Sequence, residues 1–230
     1  MGAQKDSRHA VVTGTSSGIG AAIAARLIAD GWRVTGLDRV ATASTSPQLK
    51  TIEIDLADVD RVQNALRSIT EVDALVHAAG YMRVAPLGEL NPSDGEGMWR
   101  VHVQAAAIIA NSLIPRLSNG GRIVLIGSRT AEGAAGRSQY AATKAALIGM
   151  ARSWAAELAP RGITVNIIAP GATETPMLQD PSRSGVAPRK PPIGRFIQPR
   201  EIAALTSFLL SEDAGAITGQ QIVVCGGGSL

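Results

Sequence analysis

Residues 13–20 read Thr13-Gly14-Thr15-Ser16-Ser17-Gly18-Ile19-Gly20, a glycine-rich turn directly behind the apolar run His9–Thr13 and opening a helical segment over Gly18–Asp30. Glycines there let the backbone turn tightly and approach a pyrophosphate, and the free N–H groups of a helix start complement its charge. A glycine-rich turn alone is a weak signal. It gains weight because the helix leads into a second strand-like run, Trp32–Leu37, that ends at Asp38, 18 residues after Gly20. A carboxylate at that place accepts the hydroxyls of an adenosine ribose and repels a 2′-phosphate, which favours NAD over NADP. Arg39 keeps the alternative open, since a guanidinium stacks on adenine or holds a 2′-phosphate, and Asp38 as a plain turn cap is the structural reading.

Outward from this unit the chain goes on alternating. Further strand-like runs are Lys50–Ile54, Asp73–His77, Arg122–Gly127, Ile163–Ile168 and Gln220–Val224, most of them continuously apolar, as strands of a parallel sheet covered on both faces must be. Between them lie helical segments over Asp58–Ile69, Gly95–Leu117, Ser138–Pro160 and Pro199–Leu210. Repeated βαβ order predicts a doubly wound α/β sheet. No linker, repeat or composition shift divides residues 1–230, so one domain is expected. Two segments read as irregular: the Ser/Thr-rich Val40–Pro47, where a crossover helix would normally stand, and Leu178–Pro192, broken by Pro181, Pro188, Pro191 and Pro192.

Composition narrows the function classes. The chain has 230 residues, 45% of them apolar, enough for a sizeable core without staples. Its single cysteine, Cys225, excludes a disulfide framework and any cysteine-rich metal site, and no metal is expected. The net charge of +3, from 18 Arg and 4 Lys against 19 acids, is scattered and too small to argue for nucleic acid. No apolar run approaches the roughly 18 residues of a membrane helix. Met1–His9 is polar and unlike a secretory leader, so a cytoplasmic protein is expected.

A second constellation lies at Tyr140-Ala141-Ala142-Thr143-Lys144, preceded by Ser128 at the end of a strand. Four residues apart, Tyr140 and Lys144 share a helix face. A phenol is a poor acid or base near neutral pH, but a neighbouring ammonium favours phenolate and lowers its pKa. Taken singly, each has a structural alternative: Lys144 as a snorkelling lysine and Tyr140 as a core aromatic.

Together, TGTSSGIG at 13–20, Ser128, YAATK at 140–144, PGATETPM at 170–177 and ITGQ at 217–220 resemble the short-chain dehydrogenase/reductases over nearly the whole chain. The resemblance implies a single Rossmann-type domain with about seven parallel strands and helices on both faces. It also implies a nicotinamide cofactor and a homotetramer or homodimer. Tyr140 is then the general acid/base, Ser128 the hydroxyl that polarises the substrate oxygen, and Lys144 the group that holds the nicotinamide ribose and tunes Tyr140. Gly14, Ser16, Ser17, Gly18, Ile19 and Gly20 match the pyrophosphate turn. Asp38 and Arg39 fall at the adenosine ribose, Asp55 and Leu56 at the adenine edge, and Ala79 and Gly80 in the turn beside the adenosine. Pro170, Gly171, Thr173 and Thr175 match the nicotinamide segment. The implied reaction is hydride transfer between nicotinamide C4 and a carbinol carbon, with Tyr140 moving the proton.

Three departures stand out. His77 replaces an Asn of the family's Asn-Asn-Ala-Gly turn, and Cys225 replaces an acid of the C-terminal segment, where it reads as a buried small hydrophobe. His102 stands where the family places an Asn that helps relay the proton; either a relay or site-shaping role, or a satisfied structural histidine, fits the residue type. The substrate is expected under a lid of about residues 177–195. Arg129, Arg137, Arg183, Arg189, Lys190 and Arg195 suggest either an anionic alcohol or ketone substrate or a solvated basic surface. The leading expectation is an NAD-dependent alcohol dehydrogenase or ketone reductase. The alternatives are an NADPH-dependent 3-oxoacyl carrier-protein reductase and a non-catalytic nucleotide-binding scaffold.

Overall fold

Runs such as Ala10-Val11-Val12 and Leu75-Val76 are apolar at every position, and in the computed structural model, which describes residues 7–180 and 189–230, they are strands buried on both faces. Seven parallel strands form one sheet: β1 (His9–Thr13), β2 (Arg33–Asp38), β3 (Leu49–Glu53), β4 (Val72–His77), β5 (Leu117–Ile126), β6 (Thr164–Pro170) and β7 (Gln221–Val224). Successive side chains of a strand point to opposite faces. Ala10 and Val12 therefore join one core with α1 (Gly18–Ala29) and α6 (Pro199–Leu209). Val11 joins the other, with α2 (Val59–Leu66), α4 (Ala105–Leu113) and α5 (Ser138–Leu158). The α/β, Rossmann-type expectation holds. No described helix is long and apolar enough to cross a membrane.

Strand order is β3-β2-β1-β4-β5-β6-β7, so the chain runs outward from β1 and then returns to β1's other side at β4. That reversal opens a crevice at the carboxyl ends of β1 and β4, the place where such sheets bind ligands. Thr13 and His77 face each other there in register.

The Ser/Thr-rich connection between β2 and β3 contains no helix. Its turns are held by side chains instead: Thr42 Oγ1 accepts the Ser44 N–H, Ser44 Oγ that of Ser46, and Ser46 Oγ that of Gln48. These local bonds give the backbone the alternative to a helix that Ser and Thr favour.

Two elements differ from expectation. β5 begins at Leu117 rather than Arg122, because Leu117 pairs with Val72 before the register shifts and resumes at Arg122–Ala74. The helix expected over Gly95–Leu117 is composite: α3 (Pro92–Trp99), a π-turn over Arg100–Gln104, and α4. Asn91 caps α3 by accepting the Ser93 N–H, and Pro92 takes the first position, where a missing N–H costs nothing.

Candidate active site

The glycine-rich turn lies where β1 meets α1. A side chain on Gly20 would put its Cβ 2.0 Å from the Gly14 oxygen, and one on Gly14 would meet the Ala79 backbone at 2.9 Å. Only bare backbone fits this crossing. At the start of α1, Ser17 makes no side-chain cap and the first turn carries no acid, so the first N–H groups remain for an anion. Asp38 Oδ2 accepts the Ser16 N–H at 2.8 Å and Oδ1 the Val40 N–H at 3.1 Å. The carboxylate thus does cap the turn, and each oxygen keeps a lone pair for a further donor.

Beside it, at the ends of β1 and β4, two buried histidines tie the sheet to the π-turn. In an α-helix Ala105 would donate to Val101; here its N–H reaches back to the Arg100 carbonyl. The freed Val101 carbonyl accepts His77 Nε2–H at 3.0 Å. His77 Nδ1 then accepts from the Thr13 hydroxyl at 3.1 Å, and Thr13 Oγ1 in turn accepts the Ala78 and Ala79 N–H groups. Burial foremost, and then the Lys144 charge, lowers the His77 pKa from 6.5 to about 3.

His102, fully buried within the π-turn, accepts the Tyr81 N–H on Nε2 at 3.1 Å. Its proton therefore sits on Nδ1 and is given to Thr143 Oγ1 at 2.7 Å, and that hydroxyl donates to the Tyr140 carbonyl at 2.8 Å. Burial, Lys144 and His77 hold its pKa well below the usual value. Both ring nitrogens are engaged by protein, so His102 joins the loop after β4 to α5.

Ser128 follows β5 and caps the short turn Arg129–Glu132, its Oγ accepting the Thr130 N–H at 3.1 Å. Tyr140 lies in the first turn of α5, its ring edge-on to His102 at 5.6 Å between centroids. One turn on, Lys144 is buried, with Nζ donating to the Ile126 carbonyl at 2.9 Å and standing 5.8 Å from the Tyr140 ring centre. Burial lowers its pKa from 10.5 to about 7. Gly80 must be glycine beside this pair, because a Cβ would come within 2.8 Å of His102 Nε2.

All the expected site residues line one cleft of about 800 Å³, from Asp38, Arg39, Asp55 and Leu56 at one end, past Ala79, Gly80, Pro170 and Gly171, to Ser128, Tyr140 and Lys144 at the other. Thr173 and Thr175 line it too, and Thr175 packs against Gly18, bringing the segment after β6 onto the glycine-rich turn. Arg129, Arg137 and Arg189 face the cleft; Arg195 instead pairs with Glu201, and Arg183 lies outside the described residues. Cys225 sits behind Gly171, its thiol bonded to the Ser229 hydroxyl. Burial raises the thiol pKa, but the bonds from Ser229 and the following backbone outweigh it and the net shift is downward, so Cys225 is more polar than the sequence suggests. Among the described residues no cluster of His, Cys, Asp or Glu could hold a metal. Sequence reasoning missed Thr13 and Val101; the only available hint was that a hydroxyl and an imidazole end neighbouring strands.

This geometry agrees with the comparisons. The family model described as enoyl-(acyl carrier protein) reductase matches residues 14–229. The 3-oxoacyl-[acyl-carrier-protein] reductase FabG of Salmonella typhimurium is 35% identical over 243 residues, covering 96% of this chain and 97% of the relative. The 3-oxoacyl-[acyl-carrier-protein] reductase MabA of Mycobacterium tuberculosis is 37% identical over 232 residues, covering 96% and 92%. Among solved structures, a blue fluorescent protein from a metagenomic library, in complex with NADPH, superposes with a TM-score of 0.86 at 33% identity, covering 97% of this chain and 98% of that one. The chain belongs to the short-chain dehydrogenase/reductase family. It is an oxidoreductase with a nicotinamide dinucleotide cofactor.

Proposed function

We propose that this enzyme interconverts a hydroxyl and a carbonyl carbon of a small-molecule alcohol or ketone, with NAD as the preferred dinucleotide. The observation that carries the reading is the convergence of Ser128, Tyr140 and Lys144 on the cleft that the glycine-rich turn enters. The residues present fit a dinucleotide: the start of α1 is uncapped and the turn leaves room only for backbone. Gly14 and Ser16 to Gly20 would hold the pyrophosphate, Asp38, Arg39, Asp55, Leu56, Ala79 and Gly80 the adenosine side, and Pro170, Gly171, Thr173 and Thr175 the nicotinamide. When bound, the cofactor supplies the redox partner, giving or taking a hydride at nicotinamide C4.

The chain's own groups manage the proton. With its oxygen already accepting from Thr130, Ser128 keeps its O–H to donate to the substrate oxygen, fixing it where charge develops. Tyr140 gives its phenol proton to that oxygen in reduction and recovers it in oxidation. A cationic Lys144 favours the phenolate. With a pKa of about 7, Lys144 itself exchanges protons near neutral pH. His102 and His77, each neutral and fully bonded, hold α5 and the π-turn in place around this pair.

Asp38 supports NAD, since a carboxylate in the wall of the cleft at the end of β2 would repel a 2′-phosphate. A second reading, an NADPH-dependent 3-oxoacyl carrier-protein reductase, is favoured by the FabG and MabA relatives and by Arg39 in the cleft wall. Titrating NADH and NADPH by the fluorescence of Trp32 and Trp154 separates the two, and tighter NADPH binding would overturn the NAD preference. A panel of alcohols and ketones followed at 340 nm tests the reaction; Tyr140→Phe with full activity would sink the mechanism. The intact Ser128, Tyr140 and Lys144 argue against a mere scaffold. A cytoplasmic homodimer or homotetramer is the proposed state, the assembly supported by the open sheet edge at β7, where Val223 is exposed. Sedimentation tests the assembly, and a clean monomer would refute it.

A further inference from the structure

Charge is divided along the cleft. The carboxylates in its wall, Asp38 and Asp55, both stand at the ends of β2 and β3, on the adenosine side. Around Ser128 and Tyr140 the described wall holds Arg129, Arg137 and Arg189 and no Asp or Glu. The same wall carries apolar Met82 and Met177, packed with Tyr140, and Leu178. A small molecule entering here meets a positive, largely greasy pocket.

Arg129 is the informative member. It directly follows Ser128, is only partly exposed, and lies with Nε beside Gly228 of the C-terminal turn. Among the described residues it has no hydrogen bond and no ion pair, whereas Arg195 and Arg26 each have a carboxylate partner. A guanidinium partly withdrawn from water without a counter-ion carries a desolvation cost that an incoming anion relieves. Its planar fork matches the two oxygens of a carboxylate. Ser128 and Arg129 line the same cleft, so one small molecule can meet both the hydroxyl and the guanidinium.

We propose that the substrate is a small hydroxy acid, or the corresponding oxo acid, whose carboxylate is bound by Arg129 while Ser128 and Tyr140 engage the reacting oxygen. This rests on the oxidoreductase reading of the same cleft. It separates that cleft from one built for a thioester, whose reacting end is neutral.

The test compares short 2- and 3-hydroxy acids with their own amides and methyl esters, and with a 3-oxoacyl thioester in the reverse direction. For the best acid, kcat/KM should exceed that of its amide by about tenfold to a hundredfold, the range of one charge-assisted hydrogen bond. R129Q should collapse that ratio toward one, and R129K should restore part of it, keeping the charge without the fork. Calorimetric titration of the NADH-saturated protein with the same acid and amide reads the preference without turnover and should show the same loss in R129Q. The proposal is overturned if no acid outperforms its amide in turnover or binding, if R129Q leaves the ratio intact, or if a thioester or a phosphate ester outruns every acid. Failure of the oxidoreductase reading looks different: neither acids nor neutral compounds turn over, or Tyr140→Phe keeps full rate.

Discussion

Replacing His77 by Leu probes the join between the sheet and the π-turn. The imidazole is 1% exposed and spends Nε2–H on the Val101 carbonyl and Nδ1 on the Thr13 hydroxyl. Leucine fills a similar volume with no polar atom, so it strands both partners. A buried polar group left unpaired costs about 1–3 kcal/mol, which gives about 2–6 kcal/mol if nothing moves. One escape lowers this: Val101 recaptures the Ala105 N–H by reverting to an α-turn, leaving only the Thr13 O–H without an acceptor at about 1–3 kcal/mol, while Thr13 Oγ1 still accepts the Ala78 and Ala79 N–H groups. That escape rotates His102 away from Thr143 and so disturbs Tyr140. Either stability or the site must give.

Urea unfolding followed by tryptophan fluorescence measures the first, and the midpoint should fall at constant slope. The pH dependence gives an independent check. Folded His77 stays neutral down to about pH 3, while the unfolded chain takes up a proton below 6.5. Between those values the unfolded state binds more protons, so stability falls with falling pH by about 1.4 kcal/mol per unit from this group. Above pH 6.5 it adds no pH dependence. His102, shifted in the same direction, steepens the loss. His77→Leu removes one share of that slope. A variant within about 0.5 kcal/mol of the parent, with an unchanged acid slope and unchanged kcat, would refute the account, since that is the range of an inconsequential surface change.

Tyr140→Phe should lower kcat by about a hundredfold to ten-thousandfold while leaving dinucleotide affinity nearly intact, read by parallel rate and fluorescence titrations. Asp38→Ala should narrow the NADH over NADPH preference, and an unchanged preference would remove Asp38 from the specificity reading. Gly20→Ala should abolish dinucleotide binding or folding, because its Cβ falls 2.0 Å from the Gly14 oxygen; a stable variant of normal affinity would contradict the packing described.

The sheet was legible because most of its strands hold a continuous apolar run, such as Ala10–Val12, Ala74–Val76 and Ile123–Ile126, a pattern that survives without any knowledge of partners; the edge strand β3, with Lys50, Thr51 and Glu53, is the exception. The site was legible for a different reason: Gly14, Gly20, Tyr140 and Lys144 act through local geometry, a turn and one helix face, which sequence spacing encodes. What spacing does not encode is a bond between distant segments. Lys144 donates to Ile126, Arg122 pairs across from Ala74 rather than continuing from Leu117, and the π-turn at Arg100–Gln104 differs from α-helix by one residue with no compositional mark.

The two histidines show how such features depend on each other. At residue 102 the ring spans two partners, the Tyr81 N–H and the Thr143 hydroxyl, through nitrogens on its opposite sides. The ring sits in the π-turn, and the π-turn frees the Val101 carbonyl from the Ala105 N–H next to the buried His77 ring. An unpaired carbonyl there is a standing cost, and His77 removes it with an Nε2–H that also reads out which tautomer the ring must hold. Thr13 then fixes that tautomer by donating to Nδ1, and through its oxygen it gathers the Ala78 and Ala79 amides that line the cofactor cleft. Read singly, His77 and His102 are departures from a family pattern; bonded as they are, they form one continuous support running from β1, through β4 and the π-turn, to the helix that carries Tyr140 and Lys144.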